Sequence, residues 1–202
     1  GLDDAPIATA CAGVVLDYVQ RTQRDAVPHL RLPRRYNPSQ FVVIDANTQR
    51  NLELVESLSG KRRQGTLLGV LDRTQTSMGG RRIRQWILHP LLDVEAIRAR
   101  LLSVEELYVS AERRLRLKEA LQGVADLERL MSRITARSGN GRDVKALGTS
   151  LSRVPGIRAC LEGCESPLLA GLFRDMDELV DVADWIDRAI VDEPPTTIME
   201  GN

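Results

Sequence analysis

Apolar residues in the middle of the chain recur at the spacing of one helical face. Ile83, Trp86, Ile87 and Pro90 follow one another along a single stripe, while three arginines fall on other faces of the same segment: Arg81, Arg82 and Arg84. This pattern predicts an amphipathic helix that ends at the proline. Trp86 lies in the middle of the stripe, and we expect its side chain to be buried.

The residues before this stripe have the features of a helix start. Thr76 or Ser77 can accept hydrogen bonds from the free amide groups of a first helical turn. Gly79 and Gly80 allow the backbone to turn in sharply. We therefore expect the segment from Leu67 to Asp93 to organise the chain, with the following helices packed onto it.

Similar stripes before and after this segment predict a mainly helical protein. Asp4 and Pro6 indicate the start of a helix that reaches about Gln23, and Asp93 should cap a later one. Heptad-like spacing runs through the helix after Asp93 at Val94, Ile97, Leu101, Val104 and Tyr108. Further helical segments are predicted at Leu115–Val124, Asp126–Arg137, Val144–Val154 and Leu172–Ile190. The predicted fold is an irregular helical bundle.

Two short stretches have the composition of β-strands. Phe41–Ile44 and Leu52–Val55 are rich in strand-forming residues, and Asp45–Asn51 lies between them. We expect a small antiparallel β pair within Phe41–Val55, and no other sheet. The preceding segment, Val27–Pro38, contains three prolines and several arginines. This composition indicates an extended connector.

Composition is typical of an ordinary soluble protein. The 202 residues include 28 Lys and Arg against 28 Asp and Glu, so the formal net charge is zero. This balance argues against a freestanding basic DNA-binding module, which usually concentrates positive charge. The sequence has no apolar run near the roughly 20 residues of a membrane helix. Three cysteines without framework spacing, Cys11, Cys160 and Cys164, fit a reducing compartment, so we expect a cytoplasmic location.

Candidate chemical sites are weak. A phosphate-binding loop would need a glycine-rich run that ends in Gly-Lys-Ser or Gly-Lys-Thr, whereas Gly60 and Lys61 are followed by arginine. Cys160 and Cys164 would need two further ligands to bind a metal, so small buried thiols are the favoured interpretation. For His89, which precedes Pro90, packing at a helix end is favoured over catalysis. No catalytic, cofactor-binding or metal-binding residue is assigned.

Arginine clusters are the remaining candidates. Arg81, Arg82, Arg113 and Arg114 could contact a phosphate backbone without sequence specificity. The favoured alternative is that such arginines form ion pairs between helices. Their candidate partners are Glu105, Glu106, Asp126 and Glu128.

The motif residues together resemble a known family, the MutS proteins that recognise DNA mismatches. The central pattern is Leu71, Asp72, Thr74, Thr76, Met78, Gly79, Arg81, Ile83, Arg84, Trp86, Pro90, Leu91 and Asp93. It is similar to the start of the core, or lever, domain of that family. The resemblance continues over Asp45, Thr48 and Asn51–Leu54 upstream, and over Asp126, Leu127, Glu128, Arg129, Arg133, Arg142 and Asp143 downstream.

The resemblance implies a domain organisation and a role. Residues 1–38 would be a leading helix and connector, residues 39–192 the N-terminal half of the helical core domain, and residues 193–202 the start of the segment towards a clamp. In this family, mismatch binding, the clamp and the ATPase, with ATP and Mg²⁺, lie in other parts of the chain. The core domain would couple the ATPase to the DNA-gripping clamp and have no activity of its own.

The same resemblance implies partners. They are the remainder of the MutS chain, duplex DNA with a mismatch, MutL, and a second MutS copy in a homodimer. The location would be the bacterial cytoplasm, associated with the nucleoid, and not a membrane. The alternative is an autonomous helical nucleic-acid-binding module that uses the arginine-rich faces.

Overall fold

The computed structural model describes residues 5–22, 40–60 and 62–195. Within these ranges the chain forms eleven α-helices. They are α1 (Pro6–Thr22), α2 (Ala46–Asn51), α3 (Leu67–Leu71), α4 (Ser77–Leu88), α5 (Val94–Val109), α6 (Ala111–Leu121), α7 (Leu127–Thr135), α8 (Gly141–Leu151), α9 (Val154–Cys160), α10 (Pro167–Asp175) and α11 (Val180–Ala189). The predicted mainly helical fold is confirmed. The predicted Asp4 cap, the connector at Val27–Pro38 and Lys61 lie outside the described residues.

Polar side chains start most of these helices. Side-chain oxygens at Asp45, Thr66, Thr76, Asp93, Asp126 and Asn140 accept hydrogen bonds from amide groups of the first turn of α2, α3, α4, α5, α7 and α8. Each bond satisfies a donor that the helix itself leaves unpaired. The predicted caps of the central helix and of the helix after Asp93 are confirmed.

The predicted β pair at Phe41–Val55 is wrong. Its expected turn, Ala46–Asn51, is helix α2, because the Asp45 carboxylate accepts hydrogen bonds from the amides of Asn47 and Thr48 at 2.9 and 3.0 Å and starts a helical turn. Among the described residues, Phe41 instead forms an isolated antiparallel bridge with Leu91. The 40–44 segment thus pairs with the chain that follows α4.

The core consists of two clusters. Leu151, Ala183 and Ile186 are buried where α8 packs against α11. A second cluster contains Leu161, Cys164 and Leu169. Leu107 of α5, Leu117 of α6, Phe173 of α10 and Met176, which directly follows α10, pack against it. Both clusters lie in the second half of the chain, so the central helix is not where most of the burial occurs.

The close contact between α8 and α11 depends on a glycine. A Cβ added to Gly148 would lie 2.6 Å from Cγ2 of Ile186. Only a residue without a side chain allows the two helices to approach this closely.

The predicted last helix, Leu172–Ile190, is two helices. α10 ends at Asp175 and α11 begins at Val180. Between them Leu179 has a left-handed backbone, with φ of 50°, and the Asp177 carboxylate accepts a hydrogen bond from the Leu179 amide at 3.0 Å. Non-glycine residues rarely adopt this conformation, and here it breaks the helical hydrogen-bond ladder.

The expected burial of Trp86 is also wrong. Trp86 is 41% exposed, and no residue of α4 is fully buried. The guanidinium of Arg100 on α5 stacks on the indole ring, with Cζ 3.8 Å from the ring centroid. Periodicity placed Trp86 on the apolar face correctly, but the described residues cover that face only in part. Truncating Trp86 should therefore cost less than the roughly 3 to 5 kcal/mol typical of a fully buried tryptophan.

All five residues of the heptad-like stripe on α5 are likewise exposed: Val94, Ile97, Leu101, Val104 and Tyr108. No helix of the described part of the chain combines the length and apolar character that crossing a bilayer requires.

Candidate functional site

The turn before α4 positions the first arginine of that helix. The Asp72 carboxylate accepts hydrogen bonds from the amide and the hydroxyl of Thr74 at 2.9 and 2.7 Å, and it forms an ion pair with Arg63. These bonds, led by those from Thr74, lower the pKa of Asp72. Thr76 then caps the helix, and a Cβ on Gly79 would lie only 3.1 Å from that of Thr74. The motif residues at this turn therefore have a local structural role.

Arg81, one turn into α4, contacts two carboxylates on another part of the chain. Its guanidinium donates to both oxygens of Asp126 at 2.5 and 2.7 Å and to Glu128 at 2.6 Å. Asp126 also accepts a hydrogen bond from the backbone amide of Arg129 at 3.2 Å, as the cap of α7. Hydrogen bonding by Arg81 is the main reason that the pKa of Asp126 falls to about 2. Asp126 thus both starts α7 and ties it to α4.

This arrangement, which we call the Arg81 bridge, consists of Arg81, Asp126 and Glu128. It joins positions 45 and 47 residues apart in the sequence. A planar guanidinium that binds one carboxylate through two parallel hydrogen bonds fixes orientation as well as distance. The favoured interpretation of Arg81 as an interhelical ion-pair residue is therefore confirmed.

The second arginine cluster also makes internal contacts. Arg113 donates to Sγ of Cys164 at 3.0 Å and to the Glu162 carbonyl at 3.1 Å, and it pairs with Glu106 at 3.4 Å. Arg114 donates to the carbonyls of Leu107 and Tyr108 at 2.7 and 2.8 Å. Arg82 lies 3.4 Å from the side-chain oxygen of Gln85. DNA contact by Arg81, Arg82, Arg113 and Arg114 stays a prediction.

Glu106 on α5 holds the start of α10. Its carboxylate accepts hydrogen bonds from the amides of Glu165 and Ser166 at 2.8 and 2.9 Å. The nearby Ser166 hydroxyl and these two amides lower the pKa of Glu106 to about 2. The hydroxyl itself lies outside good hydrogen-bond geometry. A carboxylate from a distant helix therefore supplies the cap that Ser166 itself does not.

The chain should lose stability in acid partly through Glu106. A depressed pKa contributes stability above the ordinary value of 4.5, and this contribution is lost as the pH falls towards about 2. We expect the free energy of unfolding, measured by urea denaturation, to fall over that interval, and to fall less steeply in Glu106→Gln. Part of this pH dependence should remain in Glu106→Gln, since the pKa of Asp126 is depressed in the same direction.

The matched control is Glu105→Gln, which removes the same charge from the neighbouring exposed position. If the two variants had the same pH dependence, the contact of Glu106 with α10 would not contribute as described.

Cys160 and Cys164 are buried, which confirms their interpretation as small buried thiols. Cys11 is exposed. Burial raises the pKa of the Cys164 thiol. Across residues 5–22, 40–60 and 62–195, no group of three His, Cys, Asp or Glu side chains is arranged to hold a metal ion. His89 ends α4 and packs edge-on against Phe41, with ring centroids 6.1 Å apart. This is the packing role expected at that helix end.

Together these features define a mainly α-helical domain whose distant helices are joined by charged hydrogen bonds. The family model for MutS domain III matches residues 47–202. The chain belongs to this family and is core-domain sequence of a MutS-type mismatch repair protein.

Individual relatives agree with the family match. The chain is 40% identical over 197 residues to DNA mismatch repair protein MutS of Clostridium kluyveri, covering 98% of this chain and 23% of that protein. It is 42% identical over 201 residues to the Myxococcus xanthus protein of the same name, covering 100% of this chain and 22% of that protein. It is 44% identical over 202 residues to DNA mismatch repair protein MutS of Desulfatibacillum aliphaticivorans, covering 100% of this chain and 23% of that protein. The chain thus spans less than a quarter of the length of these relatives.

Proposed function

We propose that this chain is the core, or lever, part of a MutS-type protein and couples its ATPase to the parts that grip DNA. The observation that carries the proposal is the Arg81 bridge within a domain of this family. The bridge joins α4 to the start of α7 through two parallel hydrogen bonds, so movement of one element is passed to the other. Mechanical coupling requires such defined contacts between elements that are distant in the sequence.

The proposal assigns the chemistry to the rest of the protein. ATP and Mg²⁺ would bind outside this segment, which has no glycine-rich loop ending in Gly-Lys-Ser or Gly-Lys-Thr. Mismatched duplex DNA, MutL and a second MutS copy would be partners of the whole protein in the bacterial cytoplasm. Residues 39–192 would form the helical half-domain, and residues 193–202 would lead towards the clamp.

Arg81→Gln in the full-length protein tests the coupling. Removing the guanidinium leaves Asp126 without its bidentate partner while the ATPase and DNA-gripping parts stay unchanged. We expect the effect of ATP on affinity for a mismatched duplex to shrink at least about fivefold, the lower end of typical coupling energies. Fluorescence anisotropy of labelled duplex, with and without ATP, measures this effect. Affinity for ATP alone should stay within about twofold.

The matched control is Arg98→Gln. Arg98 pairs with Glu95 one turn away on the same helix, at 2.7 Å, so this pair joins no separate elements. We expect normal coupling in that variant. If Arg81→Gln also kept the full ATP effect, the bridge would not transmit the change of state.

A DNA titration separates the proposal from the autonomous nucleic-acid-binding alternative. We expect the 202-residue chain to bind duplex DNA only in the non-specific range, about 10⁻⁴ to 10⁻⁶ M, and to weaken with added salt. Affinity should be equal for matched and mismatched duplexes, since the arginines at the predicted contacts largely serve internal partners. Preference for the mismatched duplex would favour the alternative.

A further inference from the structure

A pocket beside α4 is not used by the coupling function. It has a volume of about 430 Å³ and lies among α2, the loop that follows it and α4. Its lining residues are Ala46, Gln49, Arg50, Val55, Glu56, Ser57, Leu58, Gly60 and Arg84. No sequence spacing indicates this pocket, because Arg84 lies far along the chain from the other lining residues and only folding brings it beside them.

Two guanidiniums at this pocket have no ion-pair partner among the described residues. Arg84 lies one turn after Arg81 on α4, but it takes no part in the Arg81 bridge. Within residues 5–22, 40–60 and 62–195, neither Arg50 nor Arg84 has an ion pair or a side-chain hydrogen bond. The other two arginines of α4 do have acceptors, since Arg81 donates to Asp126 and Glu128, and Arg82 donates to Gln85.

Backbone hydrogen bonds hold the pocket wall at Ser57. The Ser57 amide donates to the Arg62 carbonyl at 2.9 Å, and the Leu58 amide donates to the Glu53 carboxylate at 2.7 Å. Ser57 is 9% exposed, and its hydroxyl oxygen is buried without a hydrogen-bond partner among the described residues. Because this oxygen is closed off from solvent, a ligand in the pocket would meet the two arginines and not the Ser57 hydroxyl.

The charge of the lining indicates the sign of that ligand. Arg50 and Arg84 are positive and Glu56 is negative, so the pocket is positive overall. Arginine side chains bind the oxygens of phosphate and carboxylate groups through paired hydrogen bonds.

We propose that this pocket binds a small oxyanion, a phosphate or a carboxylate group, between Arg50 and Arg84. Glu56 opposes the negative charge and keeps the affinity moderate. The volume of about 430 Å³ exceeds what a lone phosphate needs and falls within the usual range for small-molecule sites. The oxyanion can therefore be one group of a larger ligand. This site is independent of the Arg81 bridge and of the coupling function.

The test is a titration of the 202-residue chain with inorganic phosphate and, separately, with acetate. Amide resonances of the ¹⁵N-labelled chain report where the anion binds, and sodium chloride at matched ionic strength controls for general screening. We expect saturable shifts at Ser57 and Gly60 with a dissociation constant of about 1 mM, corresponding to a few charged hydrogen bonds. Saturation by phosphate alone assigns a phosphate source, and saturation by acetate alone assigns a carboxylate source.

Variants of opposite expected sign make the test specific. Arg84→Gln and Arg50→Gln should each weaken binding about tenfold, whereas Glu56→Gln should strengthen it by removing the opposing charge. Ser57→Ala should change the affinity little, because the hydroxyl oxygen of Ser57 is closed off from solvent. Arg98→Gln, an exposed arginine on α5 already paired with Glu95, should change nothing.

Two results would overturn the proposal. One is shifts that do not saturate with either anion and match those in sodium chloride. The other is phosphate or acetate binding that is equal in the original chain, Arg84→Gln and Glu56→Gln, which would place the anion elsewhere. Glu56→Gln keeps the test decisive even if an arginine variant folds poorly, since this variant is expected to gain affinity.

Discussion

Replacing Ile186 by alanine is expected to lower the free energy of unfolding by about 2 to 5 kcal/mol. Ile186 is 5% exposed and lies at the centre of the contact between α8 and α11, together with Leu151 and Ala183. Truncation removes buried methyl groups and leaves a cavity that the surrounding helices close only in part. The total free energy of unfolding of a domain is roughly 5 to 15 kcal/mol, so this substitution alone removes a large fraction of it. Urea denaturation followed by circular dichroism measures the effect.

The neighbouring residue supplies the control. Trp185 is larger but 66% exposed, so Trp185→Ala should change the free energy of unfolding far less than Ile186→Ala. A larger loss from Trp185→Ala than from Ile186→Ala would contradict this packing of α11.

Gly148 tests the same contact from the opposite helix. Gly148→Ala places a Cβ 2.6 Å from Ile186 Cγ2 and should cost about 1 to 3 kcal/mol in the original chain. In the Ile186→Ala background that methyl group is absent, so Gly148→Ala should lower the free energy of unfolding by less. The losses caused by the two substitutions should therefore not be additive.

Gly69→Ala is expected to have the second large effect, because the added methyl group would meet backbone. A Cβ at Gly69 would lie 2.3 Å from the carbonyl oxygen of Arg63, in a turn that Thr66 also holds. A flexible side chain could move away at little cost, but this carbonyl is held by the Thr66 amide and hydroxyl. We expect a loss of at least about 1 to 3 kcal/mol, measured by thermal and urea denaturation.

Gly171→Ala is the matched control for Gly69→Ala. Gly171 lies in α10, and the nearest atom to its added Cβ is a mobile guanidinium nitrogen of Arg174 at 3.8 Å. Alanine is the better helix former by up to about 1 kcal/mol, so this variant should be neutral or slightly stabilised. Equal losses from the two substitutions would show that the close approach to Arg63 is not what requires glycine at position 69.

Part of the candidate site could be read from the sequence. Asp126 was expected at the start of a helix and among the candidate partners of arginine, and it is found in both places. Glu106 was also among the expected acidic partners, and it pairs with Arg113. The remaining contacts of Arg113, to Cys164 and to the Glu162 carbonyl, depend on the packing of α6 against α9 and the turn after it. No sequence spacing indicates them.

The oxyanion pocket shows the same limit. Arg50, Glu56 and Ser57 look like ordinary polar residues in a short helix and loop, and Arg84 looks like one more exposed helix arginine. Their shared pocket is visible only when α4 lies beside that loop.

The sequence by itself determined where most helices begin, that the fold is mainly helical and which family the chain belongs to. Those features depend on bonds between residues three or four positions apart, such as Thr76 to Gly79 or Asp93 to Ala96, and on motifs read directly from the chain. Tertiary structure decided which apolar faces are covered, so Ile186 is buried while Trp86 stays 41% exposed. It also paired Phe41 with Leu91 instead of with a neighbouring strand. Burial and pairing are set by segments distant in the sequence, and local periodicity carries no information about which of them will meet.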